Sequence, residues 1–119
     1  MAPLFFETPA AWRKWLEQHH DDATEVVVGF HKKATGRPGL DWSQAVDEAL
    51  CFGWIDSVRQ RIDDISYSNR FTPRKPKSAW SAVNIAKVAE LTREGRMHSA
   101  GIAAFEAGQS RAGSDTLRR

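Results

Sequence analysis

The chain has 119 residues, 41% hydrophobic and 27% charged, which suits one domain around one core and excludes gross disorder. The formal net charge is only +2, too small for a surface coated uniformly by nucleic acid. The charge is unevenly spread, with five basic against nine acidic residues over 1–56 and six basic against two acidic over 57–77.

Thr8-Pro9 reads as a helix cap followed by proline in the first turn, and predicts a helix from about Ala10 to His20 with Trp12, Leu16 and Trp15 inward. Glu25 to Lys32 alternates as a strand, with Val26, Val28 and Phe30 on one side and Val27, Gly29 and His31 on the other. Ala34 to Gly39 (ATGRPG) is turn chemistry. Asp41 and Gln44 resemble a capping box; the helix they open buries Trp42, Ala45, Ala49 and Phe52, or Val46 and Leu50 beside them, and stops at Gly53.

Trp54 to Ile62 and Ile65 to Pro73 read as a hairpin closed by the two residues Asp63-Asp64. That register puts Trp54, Val58, Ile62, Ile65, Tyr67 and Phe71 on an apolar face. Ser57, Arg59, Arg61, Ser66, Ser68, Arg70 and Thr72 fall on a polar one. Thr72 to Lys77 (TPRKPK) is a loop, because its two prolines remove donors. Ser78 is then expected to cap a helix reaching about Arg93, with Ala82, Ile85, Val88, Ala89 and Leu91 inward and Gly95 as its stop. A last helix over Ser99 to Ala107 leaves residues 108–119 as a disordered polar tail on a single domain spanning 1–107. The expected fold is α+β, a small three-stranded or slightly larger antiparallel sheet with helices on one face.

The chain's one cysteine, Cys51, can form no internal disulfide, which suits a reducing compartment. No basic segment precedes an apolar run at the N-terminus, and no stretch nears the roughly 18 apolar residues of a membrane span. The expected location is cytoplasmic.

The runs DEALCFGWID (47–56), RIDD (61–64), RFTPRKP (70–76) and SAWSAVN (78–84) resemble the YdeI/OmpD-associated family, also labelled bacteriocin-protection proteins. FETPAAWRKWLEQHH near the start and VGFHKKATGRPGLDW fit the same pattern, so the resemblance spans about residues 5–107. It implies a fold similar to the YjbR/CyaY-like α+β superfamily and an association with envelope stress or bacteriocin tolerance, without an established reaction. Members of that family continue into a further C-terminal segment, which this chain is expected to lack.

The candidate site is the basic hairpin. Arg59, Arg61, Arg70, Arg74 and Lys75 can engage an anion through charge-assisted bonds, with Trp54 and Trp80 positioned to stack and Asn84 to add an amide. The expected partner is an anionic small molecule or, by the same hairpin, a nucleic acid; a protein partner through the proline loop is the third reading. The plain alternative is a solvated sheet face. Asp56 falls on the apolar face, where a carboxylate is paired or protonated, and is the one candidate general acid or base. Asp47 and Glu48 point about 100° apart on a helix and read as solvated. Cys51, at the unfavourable end of its helix, reads as a core thiol. His19, His20, Asp21 and Asp22 lack ligand spacing, so neither metal nor cofactor is expected.

Overall fold

Local signals set where each element begins. In the computed structural model, which describes residues 2–32, 35–36, 39–75 and 80–117, Thr8 caps helix α1 (Pro9–His19) by accepting the Ala11 amide at 3.1 Å. Asp41 and Gln44 form the expected capping box around the start of α2 (Trp42–Cys51). Gly53 and Gly95, at φ of +77° and +71°, follow the last residues of α2 and α3 (Ala82–Arg93), a conformation in which glycine carries no Cβ penalty. α3 is capped by Ser81, whose Oγ accepts the Asn84 amide; the expected cap Ser78 lies outside the described residues. The last helix, α4 (Ser99–Leu117), runs ten residues past the expected end at Ala107. The segment 108–117 read as tail contains no proline to stop it.

The sheet has four strands in the order β1-β2-β4-β3: β1 (Leu4–Phe5), β2 (Val26–His31), β3 (Trp54–Arg61) and β4 (Ser66–Pro73). The α+β class is as expected. The extra strand, β1, lies parallel to β2 because α1 crosses between them, and two residues are too few to alternate visibly in sequence. β4 is central, antiparallel to both β2 and β3.

All the helices that build the core pack on one face. Trp12 and Leu16 of α1, Ala45, Ala49 and Leu50 of α2, and Val26, Val28, Phe30, Trp54 and Phe71 of the sheet are buried together. Trp12 anchors this layer: its indole N–H donates to the Ala45 carbonyl at 2.9 Å, and its ring meets Trp15 and Phe71. A fully buried side chain of this size contributes about 1.5–3 kcal/mol, against about 0–1 kcal/mol for an exposed ion pair. The aromatic layer therefore dominates the stability of this face.

The hairpin departs from the expected register in two compensating ways. Its loop holds three residues, Asp63 to Ile65, because the amides of both Ile62 and Asp63 donate to the Ser66 carbonyl. Pairing near the turn is consequently Arg61 with Tyr67, Gln60 with Ser68 and Arg59 with Asn69. A β-bulge between Asp56 and Arg59 then places Ser57 and Val58 opposite Arg70, and beyond it Asp56 with Phe71 and Trp54 with Pro73 follow the expected register. The slip moves Arg59 and Arg61 onto the helix-covered face. Val58, Ile62 and Ile65, expected inside, are exposed.

α3 presents a different face from the one expected. Val88 and Leu91 are buried, whereas Ala82, Ile85 and Ala89 are exposed and Lys87 reaches Asp47 at 2.8 Å. α4 docks on the end of α2 through small residues: a Cβ on Gly101 would collide with the Cys51 carbonyl. His98 precedes α4, its amide donating to that same carbonyl at 2.9 Å and its ring stacked on Phe52.

Glu48 corrects the expectation of a solvated carboxylate. It is 6% exposed and accepts from Arg13 at 3.0 Å and from Arg96 at 2.6 Å, while Arg13 also donates to the Arg96 carbonyl at 2.8 Å. Burial opposes charge on both guanidiniums, but their bonds, Arg13 to Glu48 and to the Cys51 thiol and Arg96 to Glu94 and Glu48, leave both pKa values raised. Burial pushes the Cys51 thiol up, and the neighbouring Glu48 charge adds to it. That places Cys51 as a core thiol.

Glu48→Ala leaves Arg13 without its carboxylate and Arg96 with Glu94 alone, and we expect a loss of about 3 kcal/mol in urea denaturation, the low end for a broken buried pair because both guanidiniums keep some solvent. A second expectation concerns the turn. Asp63 is held below the usual carboxylate range by the Ser66 hydroxyl and the Ile65 amide, at 2.7 and 2.9 Å. Its folded pKa is depressed, so its stabilisation is present above the unfolded pKa and fades as pH falls through the folded one. Asp63→Ala should flatten the acid limb of the stability profile in that window, measured by denaturation from neutral pH downward.

Candidate functional site

The bulge creates a cleft on the helix side of the hairpin. It turns Arg59 toward Tyr67 of β4 and Trp42 in the first turn of α2, with the guanidinium carbon 4.5 Å from the Tyr67 ring centroid and 5.7 Å from that of Trp42. Arg59 Nε donates to Oδ1 of Asn69, a nearly fully buried amide, at 3.3 Å. Its two terminal nitrogens have no partner among the described residues, so a planar two-pronged donor is left uncommitted. Cation–π contact with two rings strengthens its placement by about 0.5–1 kcal/mol per exposed contact.

Lys32, Asp41 and Ser43 complete a cavity of about 320 Å³ around this pair of rings. Of its charges, Lys32 and Arg59 are positive, and the Asp41 carboxylate is already engaged by the Gln44 amide at 2.8 Å. The cleft thus joins an aromatic wall to a cationic floor. Asp56 stands beside it, half-buried, with Oδ2 accepting the Trp42 indole N–H at 3.2 Å. That bond fixes the ring which walls the cleft.

The other expected site residues do not gather here. Arg61 points to the same face as Arg59 but pairs with Asp64 at the turn. Arg70 lies on the opposite face and is neutralised by Glu25 at 2.8 Å; the Arg70 guanidinium in turn holds the Glu25 carboxyl below the usual range. Arg74 sits 4.0 Å over the Trp80 ring, and partial burial pulls its pKa down. Trp80 meets Phe105 of α4 edge-on. Lys75 is exposed beyond β4. Trp54 is 1% exposed and stacks edge-on against Trp15, so it belongs to the core and presents no face to a ligand. Asn84 occupies the first turn of α3, and among the described residues no hydrogen bond joins it to Asp56 or Arg59.

The basic hairpin is therefore split across two faces of the sheet, and Arg59 reaches an organised site with its two terminal nitrogens unpartnered among the described residues. Trp42, Tyr67 and Lys32 are the cleft residues that sequence reasoning missed. Asn69 falls with Asp56 on the apolar face of the expected register, where a polar side chain signals a paired group. Among the described residues no group of three His, Cys, Asp or Glu side chains is arranged to hold a metal ion. No described helix is long and apolar enough to cross a membrane.

A family model matches residues 4–104, from β1 into the second turn of α4, and so includes every residue of the cleft. The chain belongs to DUF8412, a domain family of unknown function. No curated protein and no solved structure gives a significant match. The DUF8412 domain here thus has its fold and cleft described by its own geometry.

If Asp56 positions Trp42, Asp56→Ala should free the indole. The expected result is a red shift in the Trp42 emission, isolated by subtracting the Asp56→Ala/Trp42→Phe double variant. A stability loss of about 1 kcal/mol, the net worth of one hydrogen bond, should accompany it in chemical denaturation.

Proposed function

We propose that this DUF8412 domain is a non-catalytic binding domain for a small anionic ligand, held in the cleft between the start of α2 and the β3–β4 hairpin. The observation that carries the reading is Arg59, in cation–π contact with Tyr67 and Trp42, with Nε tied to Asn69 and both terminal nitrogens uncommitted. A guanidinium preorganised in this way offers a carboxylate or phosphate two parallel bonds without first losing side-chain freedom. Lys32 adds a second positive charge at the rim, and the rings favour a ligand with a flat apolar portion. The resemblance to YdeI/OmpD-associated proteins belongs to the same proposal, as a cytoplasmic domain serving stress response or bacteriocin tolerance through ligand capture.

Two rivals are less well supported. A nucleic-acid surface needs several free cations in a row, whereas Arg61 and Arg70 are each paired with a carboxylate and lie on opposite faces. Catalysis by Asp56 needs a group free to exchange a proton with a substrate, and its Oδ2 is occupied by an indole N–H.

The test is a titration followed by ¹H–¹⁵N NMR with inorganic phosphate and with benzoate, on the wild type, Arg59→Ala and Arg70→Ala. Saturable shifts should centre on the Trp42 indole and Lys32. Arg59→Ala should weaken binding by about tenfold or more, the worth of a charge-assisted bond, and Arg70→Ala should leave it unchanged. Absence of saturable binding to the wild type would overturn the reading. Steeply salt-dependent binding of a short oligonucleotide that Arg70→Ala abolishes and Arg59→Ala spares would replace it with the nucleic-acid surface.

A further inference from the structure

The Arg59 cleft carries charges of both signs, and they come from different walls. Lys32, just after β2, and Arg59 of β3 belong to the sheet side, whereas Asp41 and Trp42 come together from the start of α2. Although these groups line one cavity, among the described residues no ion pair joins Asp41 to Lys32 or to Arg59. Opposite charges that face one cavity without neutralising each other leave room for a ligand that brings both signs itself.

Asp41 is suited to receive the positive one. The capping box fixes its side chain: Oδ1 accepts the Gln44 amide at 2.8 Å, and the Gln44 side chain accepts the Asp41 amide at 3.1 Å. Oδ2 is left without a hydrogen-bond partner among the described residues, and an ionised carboxylate accepts at each oxygen. The fold has already set the orientation of this acceptor, so a ligand need not order it. The next residue, Trp42, is 37% exposed and held by its indole bond to Asp56, so a charged acceptor and an apolar ring stand side by side. At about 320 Å³ the cavity lies at the low end of the range of roughly 300–1,000 Å³ for small-molecule sites, which suits a ligand the size of one amino acid.

We propose that the ligand of this cleft is a free α-amino acid with an aromatic side chain. Its carboxylate lies on the two terminal nitrogens of Arg59 with Lys32 beside it, its ammonium donates to Asp41 Oδ2, and its ring rests against Trp42. This inference rests on the anion reading of the cleft and names the ligand class. A plain carboxylate satisfies only the sheet wall. A plain amine satisfies only Asp41 and is opposed by both cations.

The test measures phenylalanine, 3-phenylpropionate and phenethylamine by calorimetry; the second lacks only the ammonium, and the third only the carboxylate. Wild type should bind phenylalanine about tenfold or more tightly than 3-phenylpropionate, the worth of one charge-assisted hydrogen bond, and phenethylamine not measurably. Asp41→Asn is the informative variant, because asparagine caps a helix about as well as aspartate and carries no charge. It should bring the two affinities together while melting near the wild-type temperature. Glu25→Gln, an equal loss of charge on a residue paired with Arg70, should keep the preference for phenylalanine. Arg59→Ala should remove binding of both acids. If wild type binds the two acids equally, or if Asp41→Asn keeps the preference, the ammonium has no partner at Asp41 and the amino-acid inference falls while the anion reading stands. Phenethylamine binding as tightly as phenylalanine would overturn it as well, since the carboxylate would then contribute nothing. If neither acid binds but phosphate or benzoate does, this inference falls alone; if no anion binds, both fall together.

Discussion

Two residues of β3, Ser57 and Val58, face the single residue Arg70 of β4, and the arrangement of the hairpin depends on that mismatch. A three-residue turn shifts the pairing by one position, and a strand that kept this shift to its end would take Trp54 out of the core. The bulge absorbs the extra residue, so Trp54 stays buried while Arg59 and Arg61 turn toward the helices. One insertion thereby reconciles a core requirement at one end of the strand with a cationic side chain in a cleft at the other. Strand alternation permits both only through such a break.

The rest of the cleft follows from helix placement. Trp12, hydrogen-bonded to the Ala45 carbonyl, ties α1 to α2, and the capping box at Asp41 fixes where α2 begins. Trp42 is then the first residue of the helix, leaning over β3, where Asp56 accepts its indole N–H. At the other end of α2 the glycine contact with α4 and the Arg13–Glu48–Arg96 cluster hold the helix in place. α2 therefore carries a ligand-facing end and a structural end, with its buried acid well separated in sequence from the cleft.

Much of this was legible in the residues. Thr8-Pro9, Asp41 with Gln44, and the glycines at 53 and 95 marked helix ends through local chemistry that tertiary packing did not override. The alternation of Val26, Val28 and Phe30 gave β2 its buried face. What was not legible depended on contacts distant in sequence. The bulge leaves no glycine or proline signature, so the arginines were read onto one face. Glu48 looks like an ordinary helical acid until Arg13 and Arg96, 35 residues before and 48 after it, close on it. α3 was read a fraction of a turn out, since several apolar residues there stay exposed and its polar residues include Lys87, which turns in to Asp47.

The strand order also determines how the protein meets other copies of itself. Its sheet ends in β1 on one side and β3 on the other. Open edges present rows of unpaired amides and carbonyls on which another chain can assemble. β1 is only two residues long, and β3 is broken in its middle by the bulge, so neither edge offers a long regular template. The hairpin tip with Ile62 and Ile65 exposed is flanked by Arg61, Asp63 and Asp64, charges that disfavour stacking of like tips. The irregularity that orients Arg59 thus also guards the sheet against edge-to-edge aggregation.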